Sequence, residues 1–144
     1  MLERFAMIKI TKERSVSIDD VLHLYQAVGW TNYTNQPQML EQALSHSLTT
    51  YLARDGEEIV GLMRLVGDGF SSVFVQDLIV LPSYQRQGIG SNLMKEALAD
   101  YKDAYQIQLA TEQTEKTLGF YRSLGFETLS TYDCTGMIWV DRKR

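Results

Sequence analysis

The stretch that most constrains this chain of 144 residues is Asp77-Leu78-Ile79-Val80-Leu81-Pro82-Ser83-Tyr84-Gln85-Arg86-Gln87-Gly88-Ile89-Gly90-Ser91-Asn92-Leu93-Met94. An apolar run ended by Pro82 reads as a strand, a polar loop with two glycines follows, and a helix opens near Gly90. Strand, tight turn and helix start together aim the first unpaired N–H groups of the helix, and the positive end of its dipole, at whatever fills the loop. A phosphate is the natural guest. Glycine lets such a guest approach the backbone and tolerates the positive φ the loop is expected to visit.

Two phosphate motifs are excluded. No Gly-Lys-Ser/Thr follows, as a nucleoside triphosphate loop would require. The third glycine of a dinucleotide fingerprint would fall on Leu93, and Ala110 stands where that fingerprint wants an acid. What remains is a site for a pyrophosphate-sized anion of another kind.

The remaining elements follow from periodicity. Phe5 to Thr11 reads as a first strand. Ser17 caps a helix striped by Ile18, Val21, Leu22, Tyr25 and Val28 and ended by Gly29. Trp30 to Gln36 is a polar link with two large aromatics, and Pro37 opens a second helix carrying Leu40, Ala43, Leu44 and Ser47 on one face. Thr49–Arg54 and Glu58–Val66 are strands joined at Asp55-Gly56, and Ser71–Leu81 continues the meander. Leu93, Met94, Ala97, Leu98 and Tyr101 stripe the helix after the loop. Tyr105–Ala110 is a strand expected to run parallel to its predecessor, because a helix joins them. Thr114–Leu124 is the last helix, with Gly125 just past its end. Phe126–Tyr132 and Met137–Val140 are expected to close the sheet as a hairpin. The order β-α-α-β-β-β-α-β-α-β-β describes a mixed α/β (α+β) sheet flanked by helices, in one domain over residues 1–144.

Composition limits the function. Fourteen basic against eighteen acidic side chains give a net charge of −4, which argues against a general nucleic-acid binder. Arg142-Lys143-Arg144 reads as a solvated tail. A single cysteine, Cys134, rules out an intrachain disulfide and suits a reducing compartment. It is expected to be a small buried residue rather than an acyl carrier. With no signal-like segment or apolar membrane span, a cytoplasmic protein is expected. No metal site and no membrane partner are expected.

Gln85-Arg86-Gln87-Gly88-Ile89-Gly90 matches the Gln/Arg-x-x-Gly-x-Gly/Ala signature of the GNAT superfamily of N-acetyltransferases, behind a strand ending in Val80-x-Pro82. Phe120-Tyr121-Arg122-Ser123-Leu124-Gly125-Phe126, roughly thirty residues on, is similar to that family's second landmark. The resemblance spans nearly the whole chain. It implies acetyl-coenzyme A as acyl donor, with its pyrophosphate on Gln85, Arg86, Gln87, Gly88, Ile89, Gly90 and Ser91, mainly through backbone N–H groups. It also implies that Leu78, Ile79 and Val80 offer backbone groups to the pantetheine arm, one N–H holding the oxyanion. An ordinary buried strand is the competing reading.

The resemblance further implies Tyr121 as general acid toward the leaving thiolate; on the residues alone, a tyrosine packed at a helix–sheet seam reads better. It makes Trp30 and Tyr33 candidate acceptor contacts, against aromatics that plug a helix corner. The family often carries asparagine at the position of Thr114, which puts that contact in doubt. The general base stays open among Asp77, Glu112, His46 and water. The expected reaction is transfer of an acetyl group to a primary amine by direct attack in a ternary complex, the acceptor being a small molecule or a protein or peptide amine. A coenzyme A-binding sensor or interaction module without turnover is the alternative. A homodimer is possible through the edge of the final hairpin.

Overall fold

The computed structural model describes residues 7–141. Phe5 and Ala6 of the expected first strand and the tail Arg142-Lys143-Arg144 lie outside them. The described chain divides into two compact parts, one ending at Leu109 and one beginning at Ala110.

The first part holds one five-stranded sheet in the order β1-β2-β3-β4-β5. β1 (Ile8–Glu13), β2 (Thr49–Asp55), β3 (Glu58–Gly67) and β4 (Ser72–Val80) form an antiparallel meander, and β5 (Gln106–Leu109) runs parallel to β4. The β2–β3 turn is Gly56-Glu57, with Gly56 at φ 62°. Between β1 and β2 lie α1 (Ile18–Ala27), the single turn α2 (Thr31–Thr34) and α3 (Pro37–Ser45), so the expected polar link contains a helical turn. Ser17 caps α1 by accepting from the Asp19 amide, and Pro37 opens α3.

Alternation along the strands divides the core. Leu52, Leu62 and Ile79 face Val21, Leu24, Tyr25, Leu40 and Leu44 of α1 and α3. α4 (Ile89–Asp100) lies on β2, β3 and β4 and buries Ile89, Leu93, Met94 and Ala97. Gly61 belongs to the α4 side: a Cβ there would stand 3.2 Å from Ala53 Cβ and 3.4 Å from Ile89 Cγ2. A side chain at Gly61 would therefore press on Ile89, the first residue of α4.

The second part contains α5 (Glu115–Ser123), ended by a tight turn in which Gly125, at φ 98°, is followed by a Phe126 N–H donating to Tyr121 O at 3.0 Å. The expected closing strands do not form. Leu129–Tyr132 is a 3₁₀ turn, and Met137–Val140 has no strand partner among the described residues, with side chains 68–95% exposed. Hydroxyls explain the first failure. Thr128 bonds Ser130 and Thr131 locally, and the Asp133 and Cys134 amides turn back onto Ser130 and Leu129, so the backbone is satisfied without a ladder. Alternation alone then leaves Met137–Val140 with nothing to pair against. The hairpin edge expected to serve a second copy is therefore missing, and Cys134 is exposed rather than buried.

Candidate functional site

The site begins where β4 and β5 part. Their parallel ladder runs from Ser72↔Gln106 to Val75↔Leu109 and stops there, while β4 continues to Val80. On the other side β4 stays paired with β3, but the register shifts between Arg64↔Asp77 and Leu65↔Val75, leaving Gln76 as a bulged extra residue. The Leu81 amide donates to Val60 O of β3 at 2.9 Å. By antiparallel alternation, the N–H and C=O of Ile79 and Asp77 also point at β3, and those of Leu78 and Val80 point at the opposite, open edge. Gln85 turns its side chain back and donates to Val80 O at 3.1 Å.

The chain then passes through a 3₁₀ turn (Pro82–Tyr84), tied down by Tyr84 Oη donating to Asp55 Oδ2 at 2.6 Å. Two left-handed residues bring it into α4: Arg86 at φ 66° and the N-cap Gly88 at φ 80°. Left-handed backbone is ordinary for Gly88 and uncommon for Arg86. A Cβ on Gly88 would meet nothing within 4 Å, so the space above it is open. The first bond into the helix is Asn92 N–H to Gly88 O at 3.0 Å; among the described residues no carbonyl outside α4 accepts from Ile89, Gly90 or Ser91. Three amides at the positive end of a twelve-residue helix thus face the loop. The cradle fits a diphosphate, and the open strand edge beside it fits an extended amide chain.

Beneath the edge lies a network that sequence reasoning missed. Arg64 and Asp77, 4% and 1% exposed, pair directly across β3 and β4, with Nε donating to Oδ2 at 2.7 Å. Tyr25 Oη donates to the same oxygen at 2.8 Å, and Tyr33 Oη donates to Oδ1 at 3.0 Å. Arg64 also reaches Tyr33 Oη and Ser47 Oγ, each at 3.3 Å. Burial pulls the guanidinium pKa down, but the adjacent carboxylate outweighs it and holds it above its usual value. Burial, then Asp77, pushes the Tyr33 phenol up. Trp30 and Tyr33 pack with Tyr25 as one aromatic group, centroids 5.1–6.2 Å apart, so both belong partly to the core. The available signal was a lone arginine in the apolar run Gly61–Val66 and a lone aspartate in the next strand.

Of the other candidates in this part, His46 is exposed at the end of α3, its Nδ1 bonded to Gln42 O at 2.8 Å and Ser45 Oγ at 3.0 Å. In the second part, Tyr121 lies edge-on to Phe120 and Phe126, at 5.0 and 5.9 Å. Burial raises its pKa, opposed by a hydrogen bond with the Thr111 side chain. Thr114 is occupied as the N-cap of α5, accepting from the Thr117 amide at 3.2 Å. Glu112 accepts from the Thr117 hydroxyl at 3.2 Å. Among the described residues no cluster of histidine, cysteine and carboxylates could hold a metal ion, and no helix is long and apolar enough to cross a membrane.

Known proteins supply a comparison for this geometry. A family model described as an acetyltransferase (GNAT) domain matches residues 46–128, more than half of the chain. The solved structure of a GNAT-family acetyltransferase from Streptococcus pneumoniae TIGR4 is 75% identical and superposes with a TM-score of 0.87, over 94% of this chain and 99% of that one. A GNAT-family acetyltransferase from Elizabethkingia anophelis, solved with acetyl-CoA bound, shares the fold at a TM-score of 0.62 and 23% identity, over 83% of this chain and 76% of that one. The chloroplastic GCN5-related N-acetyltransferase 1 of Arabidopsis thaliana is 28% identical over 132 residues, 90% of this chain. The chain spans 65% of that relative's length.

Proposed function

The chain belongs to the GNAT acetyltransferase family, and on that premise we propose that it moves an acetyl group from acetyl-CoA to a primary amine by direct attack within a ternary complex. One observation carries this reading: the open edge of β4 leads, through the turn at residues 82–88, to the unpaired amides of α4. The diphosphate of the donor lies on the amides of Arg86 to Ser91. Leu78 and Val80 pair with the amides of its pantetheine arm, and a Leu78 or Val80 N–H holds the thioester oxygen as it becomes an oxyanion. Ile79 keeps the register by staying paired with β3 and buried in the core.

The amine nitrogen attacks the thioester carbonyl, the carbon–sulfur bond breaks, and the departing thiolate takes a proton. Tyr121 is the proposed donor. Its support is its own setting: a half-buried phenol, protonated at neutral pH as tyrosine ordinarily is. The proton lost by the amine is assigned to water, since the Asp77 carboxylate already accepts three hydrogen bonds. Trp30 and Tyr33 are proposed to line the acceptor side, and the cytoplasm is the proposed compartment.

Titration with acetyl-CoA, then thiol release against a panel of small amines, polyamines, aminoglycosides and lysine peptides, tests the reading. Saturable binding with release for at least one amine supports it. Binding without release for any of them favours a coenzyme A sensor, and no binding removes both.

A further inference from the structure

The geometry points to a role for the Arg64–Asp77 pair: with Tyr33 it forms a positioning unit that fixes α2 to the open edge of β4. The inference rests on the functional reading above, because α2 carries one of the proposed acceptor contacts. Arg64↔Asp77 is the first cross-strand pair past the Gln76 bulge, where β4 has already left β5. Asp77 is also the residue directly before Leu78. Whatever anchors its carboxylate therefore limits the backbone of the run whose amides face the open edge.

The anchoring comes from three directions. Arg64 commits Nε to Asp77 on β4, Nη2 to Tyr33 on α2, and Nη1 to Ser47 in the link from α3 to β2. Tyr25 of α1 holds the carboxylate from the core side. Tyr33 is half-buried, and the exposed Gln76 side chain donates to its hydroxyl at 3.5 Å. A buried guanidinium–carboxylate pair contributes little net stability over apolar residues of the same volume. Its directional bonds are what such residues would lack, and here they link β3, β4, α1, α2 and the α3–β2 link. The Tyr33–Asp77 bond is the joint between the acceptor side and the donor edge.

Tyr33→Phe removes that joint and keeps the ring contacts with Tyr25 and Trp30. Hydrogen exchange of the free protein is expected to speed up together in Thr31–Gln36 and in Gln76–Leu81, with β1 and β2 unchanged. In steady-state assays the acceptor KM should rise about threefold to tenfold while the acetyl-CoA KM stays within about twofold. Tyr51→Phe is the control: it removes a like phenol–carboxylate bond, 2.8 Å to Asp100, and should leave the acceptor KM unmoved. Faster exchange confined to α2, or the two KM values rising together, overturns the inference. A wild-type chain that releases no thiol with any amine ends the functional reading, while the exchange measurement still decides the coupling.

Discussion

Gly88 and Arg86 carry the loop through the left-handed region, and they do so at unequal cost. For a residue with a Cβ that conformation is disfavoured by roughly 1–2 kcal/mol, and Arg86 adopts it all the same. Gly88→Glu adds that strain and a negative charge where a diphosphate is proposed to lie. Acetyl-CoA affinity should fall at least about a hundredfold by calorimetry, by analogy with losing a well-formed charge contact. An unchanged Kd would remove the loop from the site. Tyr121→Phe should lower kcat by about a hundredfold or more, the usual scale of general acid catalysis, with Kd for acetyl-CoA nearly constant; equal turnover would end that assignment. Tyr25 tests the buried network. Tyr25→Phe deprives the Asp77 carboxylate of a donor, and urea unfolding should register a loss of about 1–3 kcal/mol. Burial and the Asp77 carboxylate raise the Tyr25 phenol above its ordinary value. The native chain therefore keeps a proton that the unfolded chain releases near pH 10. The bond's contribution is complete below that pH and is lost as pH rises, so the variant's stability should fall less steeply in alkali than the wild type's.

At the scale of elements, the strand–loop–helix unit was legible because each of its signals is local: Pro82 ends the strand, two glycines open the loop, and a stripe of apolar residues begins the helix. The bulge at Gln76 was not legible. It depends on which residues of β3 stand opposite β4, a register that one extra residue changes without altering the apolar pattern. Nor did the sequence betray that Thr128–Cys134 would spend its hydroxyls and amides locally, since Phe126–Tyr132 alternates well enough to pass for a strand. The doubt over Thr114 agrees with its observed role: its hydroxyl serves the helix start, directly before Glu115. Gly61 gives the element-scale prediction. A methyl at this position would press on Ala53, the Ile79 carbonyl and Ile89 at 3.2–3.4 Å. Gly61→Ala should therefore shift the start of α4 and weaken acetyl-CoA binding several-fold, as small displacements of binding groups do. Full affinity in a variant with an unchanged melting temperature would mean that α4 is not held there by that contact.

For the molecule as a whole, fold class and family were readable from the sequence, whereas the residues that tie the sheet to α1 and α2 were not. The motif-bearing residues are consecutive in the chain; Arg64, Asp77, Tyr25 and Tyr33 meet only after folding. Their bonds tie α1 and α2, where an acceptor contact is proposed, to the same strand whose edge is proposed to take the donor. The most direct test of that arrangement is amide resonance mapping of the isotopically labelled chain during titration with acetyl-CoA. The account predicts saturable shifts at the amides of Leu78 and Val80 and from Arg86 through Ser91, following one binding curve. Saturable binding that leaves those amides unmoved would contradict it.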